Sequence, residues 1–91
     1  MTYAVIITVK LDIDTSAAHR REVMEEQVAP RLLELDGFQL ATWMNDGLGG
    51  GVMLVEFDTK SHADAALGPL IVNGPEVISS GVYEVEFEAS P

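Results

Sequence analysis

The chain contains no cysteine, so disulfides and thiolate metal sites are excluded. Cations are scarce. Lys10, Arg20, Arg21, Arg31 and Lys60 stand against 15 acidic residues, for a formal net charge of −10. Such a surface repels phosphate, and only Arg20 and Arg21 are adjacent, so neither nucleic acid nor an anionic membrane is an expected partner. No apolar run approaches the roughly 20 residues that cross a bilayer. The Met1-Thr2-Tyr3 start lacks the charged and apolar regions of a secretory signal, and a cytoplasmic location is the expectation. His19 and His62 have no paired spacing, and Asp12-Ile13-Asp14 lacks the glycine-punctuated pattern of a calcium loop. No metal or other cofactor is expected.

Hydrophobic residues, by contrast, make up 47% of the 91 positions. A single domain of this length, residues 1–91, buries only about two-thirds of its unfolded surface. Where the apolar surplus goes is therefore the main question, and its periodicity supplies an answer. Tyr3–Leu11 reads as a strand that is apolar on both faces, with Tyr3, Val5, Ile7, Val9 and Leu11 on one side and Ala4 and Ile6 on the other, turning polar at Thr8 and Lys10. A strand of that kind is normally covered on both faces.

Residues 16–35 read as a helix opened by Asp14-Thr15-Ser16, with an apolar stripe of Met24, Val28, Leu32 and Leu35. Pro30 removes the hydrogen bond to the Glu26 carbonyl and is expected to kink or split that helix. Asp36-Gly37 ends it, with Gly37 suited to a left-handed conformation. Phe38–Met44 and Val52–Phe57 read as strands joined by the Asn- and Gly-rich segment 45–51, a hairpin loop. A phosphate-binding loop would have to open a helix, whereas Gly51 runs into Val52-Met53-Leu54-Val55. Ser61 is expected to cap a short helix through Leu67, which Gly68-Pro69 interrupts. Val82–Glu88 is expected to form the last strand, with Tyr83, Val85 and Phe87 alternating with Glu84, Glu86 and Glu88.

The order β-α-β-β-α-β predicts an α+β, ferredoxin-like fold: a four-stranded antiparallel sheet with two helices on one face. The expected helix side holds Val5, Ile7, Val9, Phe38, Leu40, Met53, Val55 and Phe57. The uncovered side then carries Ala4, Ile6, Ala41, Trp43, Val52 and Leu54. An apolar patch of that kind marks an interface or a ligand surface. Two such sheets facing each other would close a two-fold dimeric barrel, so a homodimer is expected.

On these features the chain resembles the dimeric α+β barrel superfamily, and in particular small proteins similar to antibiotic-biosynthesis monooxygenases. The resemblance spans nearly the whole chain. It rests on the element order, on the helix followed by Asp36-Gly37-Phe38, and on Val55-Glu56-Phe57-Asp58 running into an Ala-rich helix. It implies a homodimer with a cavity between the sheets, and an activity drawn from cofactor-independent monooxygenases, haem-degrading enzymes or small-ligand isomerases. The haem-degrading pattern is not met. The first strand has no Asn, Phe57 stands where a Trp is expected, and Ala66 and Leu67 stand where a His is expected, with His62 about a turn too early.

Candidate site residues follow from the expected barrel interior. Trp43, Ala41, Ile6, Thr8 and Leu54 would contact a ligand. The Trp43 ring could stack on a planar molecule or simply fill the dimer core. Glu56 shares that side, and a carboxylate in an apolar cavity is a potential general base, whereas at a barrel rim it would be hydrated. His62, in the first turn of its helix, is a proton-shuttle candidate or a plain surface residue. Three functions remain open at this point: binding of a small hydrophobic or aromatic molecule, a monooxygenase or isomerase reaction on one, or a non-catalytic interaction module.

Overall fold

The computed structural model describes residues 2–11, 16–71 and 76–91. Asp12-Ile13-Asp14 and Thr15, which entered the reading above, lie outside them. Four strands, β1 (Thr2–Lys10), β2 (Phe38–Asn45), β3 (Gly50–Phe57) and β4 (Val77–Val85), form one antiparallel sheet in the order β2-β3-β1-β4. Between β1 and β2 the chain is helical: α1 (Ala17–Val23), a π-helical turn (Met24–Val28) and α2 (Ala29–Leu32). Between β3 and β4 lies α3 (Lys60–Ile71). The β-α-β-β-α-β order and the ferredoxin-like arrangement hold. Among the described residues, no helix is long and apolar enough to cross a membrane.

Ser16 caps α1, its Oγ accepting the His19 N–H at 3.1 Å. Pro30 does not split the helical run. The Ala29 N–H reaches back five residues to the Met24 carbonyl, and the π turn takes up the missing hydrogen bond. Gly37 is left-handed, at φ 76°, as its place after the helix predicts. The cap of α3 is Thr59, two residues before the expected Ser61, with its Oγ1 accepting the His62 N–H at 3.1 Å. This helix also runs past Gly68-Pro69 to Ile71. Leu70 and Ile71 pack against the core, and that burial offsets the bond lost at Pro69 in the last turn.

The core lies between the helices and one face of the sheet. Val5, Ile7, Val9, Val55 and Phe57 from the strands meet Leu32, Ala63 and Ala66 from the helices, all buried. Phe38 and Phe57 pair edge to face at 6.4 Å across β2 and β3. The hairpin loop is held by Asp46, whose Oδ1 accepts the Leu48 and Gly50 N–H groups at 2.7 and 2.9 Å. Gly47 and Gly49 supply its positive φ angles.

Two irregularities decide which side chains face where. In β2, Phe38 pairs with Phe57 and Leu40 with Glu56, so two residues oppose one and Gln39 is the extra residue of a β-bulge. Because side chains alternate with period two, one inserted residue exchanges the faces of everything beyond it. Ala41 and Trp43 therefore join the core side, opposite Val55 and Met53, and Leu40, Thr42 and Met44 take the open side. The expected placement of Ala41, Trp43 and Leu40 is thus reversed. Beside Trp43, Gly51 leaves room for the indole: a Cβ built there would stand 2.5 Å from Trp43 Cη2. The second irregularity inserts Ile78 into β4, between the Thr8–Ser79 and Val9–Val77 pairs. β4 itself starts and ends earlier than expected because its extent is set by β1. Its pairing with that strand runs from Val9–Val77 to Thr2–Val85.

Candidate functional site

No described element covers the second face of the sheet, and the register lists its occupants. Leu40, Thr42 and Met44 of β2 stand beside Glu56, Leu54 and Val52 of β3. Next come Ala4, Ile6 and Thr8 of β1, then Tyr83, Gly81 and Ser79 of β4. Leu40, Met44, Ile78 and Tyr83 are exposed large hydrophobics, and Ile6, Val52 and Leu54 are half-buried. The face has two chemically different ends. At one, Lys10 pairs with Gly50, and an open groove of about 350 Å³ is lined by Thr8, Met44, Val52 and Ile78 among others. At the other, Glu56 pairs with Ala4, whose far neighbour is Tyr83.

Glu56 is the ionisable group of interest on this face. Burial pushes its carboxyl above the ordinary 4.5, and repulsion from Glu88 adds to the rise. The Glu88 side chain lies close enough to Glu56 for the two carboxyls to interact. Glu88 belongs to residues 86–91, which follow β4 without regular structure. The segment thus turns back toward the Glu56 end of the open face.

His62 is held elsewhere. Its Nδ1 lies 2.6 Å from Asp58 Oδ1, and because a carboxylate only accepts, the imidazole donates. That bond is the main reason the Asp58 carboxyl sits below the ordinary 3.8. Gly37 packs onto the pair. A Cβ built there would overlap Asp58 Oδ1 and His62 Nδ1 and lie 2.9 Å from Asp58 Cγ. The Asp58 N–H also bonds the Gly37 carbonyl at 3.0 Å. The pair is half-exposed, and it ties the turn after α2 to the start of α3.

The open face therefore gathers Ile6, Thr8, Leu54 and Glu56 from the expected site. Ala41 and Trp43 stand on the other side of the sheet. Glu56 and His62, the two catalytic candidates, have separate neighbours in Glu88 and Asp58. Leu40, Met44, Ile78 and Tyr83 are the face residues that sequence reasoning missed. Tyr83 is legible from strict alternation along β4, but the other three depend on where the bulges fall. The Asp58–His62 pair was readable from its four-residue spacing at a helix start.

Comparison with solved structures supports the architecture. The structure of Rv0793 from Mycobacterium tuberculosis superposes with a TM-score of 0.60 at 18% identity, covering 99% of this chain and 100% of that one. The two share a fold. At that identity the likeness carries the architecture alone. No family model matches the chain, and no curated protein does.

Proposed function

We propose that the chain acts as a homodimer whose two open sheet faces enclose a small hydrophobic or aromatic molecule. The observation that carries this reading is the uncovered apolar face, with Leu40, Met44, Ile78 and Tyr83 exposed around Ile6, Val52 and Leu54. A second copy laid on that face would complete the dimeric α+β barrel that the family resemblance implies. The groove of about 350 Å³ is in the size range of small-molecule sites, roughly 300–1,000 Å³. Its lining is apolar apart from the ends of Thr8, Asn45 and Asp46. Trp43 belongs to the core, and Tyr83, the aromatic ring on the open face, stands outside the lining of this groove.

Glu56 favours a second reading, in which the bound molecule also reacts. Held above its ordinary pKa by burial and by Glu88, its carboxyl would exchange protons nearer neutral pH than a surface glutamate does. That is the property a cofactor-independent oxygenase or isomerase needs in its general base. Native mass spectrometry of the purified protein tests both readings. A dimer carrying extra mass supports the binding site and identifies the molecule to assay for turnover, which Glu56→Gln would abolish if the second reading holds. A monomer at micromolar concentration refutes the dimer and the enclosed site together.

A further inference from the structure

The open face carries a hydrogen-bond donor that packing holds in place and that the fold does not use. The inference drawn from it rests on the enclosed-site reading above. Tyr83 and Gly81 are two residues apart on the same side of β4. A Cβ built at Gly81 would stand 3.2 Å from Tyr83 Cε2 and 3.3 Å from its Oη. The phenol ring therefore lies along the strand, across the Gly81 backbone. Gly81 is not left-handed, so its missing side chain provides room for the ring, not conformational freedom. Ile6 is the cross-strand neighbour of Gly81, which puts the hydroxyl at the middle of the apolar patch.

The Tyr83 hydroxyl makes no hydrogen bond to a described residue. The two hydroxyls nearest along the strands are committed to each other. Thr8 Oγ1 donates to the Ser79 carbonyl at 3.4 Å and is in hydrogen-bonding contact with Ser79 Oγ. With the Thr8 proton on that carbonyl, the Ser79 proton goes to Thr8. Thr42 lies across the sheet on the edge strand β2. When a second copy covers the face, water leaves the Tyr83 hydroxyl, and a buried donor without a partner is costly. A bound molecule has to supply the acceptor.

Charge narrows what that acceptor is. Glu56 and Tyr83 flank Ala4 on its two neighbouring strands, and the chain carries a net charge of −10. Lys10, at the far end of the groove, is offset there by Asp46 and Glu76. A carboxylate or phosphate is therefore opposed, whereas a neutral carbonyl oxygen accepts the phenol proton without repulsion. The Thr8–Ser79 pair is two residues, roughly 7 Å, from the Ile6–Gly81 pair. Thr8 also lines the groove, so a molecule of two fused rings can occupy the groove and reach the phenol.

We infer that Tyr83 is the specificity-determining donor of the enclosed site, and that it selects a neutral, apolar molecule bearing a carbonyl oxygen. Gly81 is its positioning partner, because a side chain there lifts the ring and moves the hydroxyl off Ile6.

Two probes of nearly the same shape test this: 2-acetylnaphthalene, which has the carbonyl, and 2-ethylnaphthalene, which lacks it. Each is bound by equilibrium dialysis to the wild-type protein, to Tyr83→Phe and to Gly81→Ala, with native mass spectrometry reading the assembly. The ratio of ketone to hydrocarbon affinity should fall roughly three- to tenfold in Tyr83→Phe, the range of one hydrogen bond. It should fall in Gly81→Ala as well, although the hydroxyl is still present. The anion 2-naphthoate should bind wild type more weakly than the ketone does. An unchanged ratio in Tyr83→Phe overturns the donor assignment while the enclosed site stands. An unchanged ratio in Gly81→Ala alone overturns the positioning role, and tighter binding of naphthoate overturns the neutral ligand class. A Tyr83→Phe protein that dissociates where wild type stays dimeric gives the hydroxyl to the subunit contact and overturns its role in selection. A wild-type monomer, or a dimer that takes up neither probe, overturns the enclosed site and this inference with it.

Discussion

Replacing Gly37 with alanine probes two constraints that meet at one atom. The residue is left-handed, at φ 76°, and an L-residue with a Cβ is disfavoured there by about 1–2 kcal/mol. Alanine also restricts the unfolded chain, which returns about 0.4–1 kcal/mol. The backbone part of the cost is therefore roughly 1 kcal/mol. The second part is steric. The new Cβ would occupy the space of Asp58 Oδ1 and His62 Nδ1, so either the Asp58–His62 bond opens or the turn moves away from α3. Gly37→Ala should thus cost more than the backbone part alone. Removing both obstructing side chains, in Asp58→Ala/His62→Ala, should bring its cost back to roughly 1 kcal/mol. Urea unfolding followed by Trp43 emission at fixed protein concentration measures each arm, since dimerisation would make the midpoint depend on concentration. Equal costs in both backgrounds, within about 0.5 kcal/mol, would show that the pair does not sit over Gly37. A cost near zero in the wild-type background would refute the left-handed turn as well.

Two further perturbations test the core and the open face. Gly51→Ala places a Cβ 2.5 Å from Trp43 Cη2 and 3.0 Å from Val9 Cγ2, so it should destabilise by about 1–3 kcal/mol and shift Trp43 emission. An unchanged spectrum would place the indole elsewhere. Titration of stability should separate the two carboxyls. Glu56 is raised in the fold, so its contribution is present below 4.5 and is lost as pH rises through the folded value. Glu56→Gln is accordingly expected to stabilise the protein at neutral pH and to lose that advantage in acid. Asp58 is lowered, so its contribution is present above 3.8 and is lost as pH falls through the folded value. Asp58→Asn should therefore destabilise at neutral pH and flatten the acid limb, and the opposite pattern for either variant in urea midpoints measured across pH would refute its assigned environment.

Much of the fold was legible because the hydrophobic period changes sharply between segments. The turn at Gly37 and the loop at 45–51 carried unambiguous chemistry. Errors arose where local signals were overruled by pairing or packing. Ser79, Ser80 and Gly81 are poor strand formers, yet they lie in β4 because β1 offers them a ladder. Gly68 and Pro69 break helices in isolation, yet Leu70 and Ile71 have a core to reach. The bulge at Gln39 left no local mark. Phe38, Leu40 and Met44 on one parity and Ala41 and Trp43 on the other give β2 apolar residues on both sides, so alternation alone does not select the buried one.

That exchange of faces has an energetic reason. Burial among the described residues is thin: Phe57, Val5 and Val55 are the largest side chains fully enclosed, and the other buried members include Ala4, Ala63 and Ala66. A chain of this size has little apolar area to spare for its own core. The indole of Trp43 is the largest single side chain available, and placing it between β2 and Gly51 stabilises the monomer where stability is scarce. An unbulged β2 would have put that ring on the open face and drawn Leu40 and Met44 into the core. With the bulge, the open face keeps flexible aliphatic side chains and one tyrosine, which can repack around a partner or ligand more readily than a fixed indole. The apolar surplus visible in the composition is therefore divided by one inserted residue: the rigid ring goes to the core, and the adaptable side chains remain where a second copy would meet them.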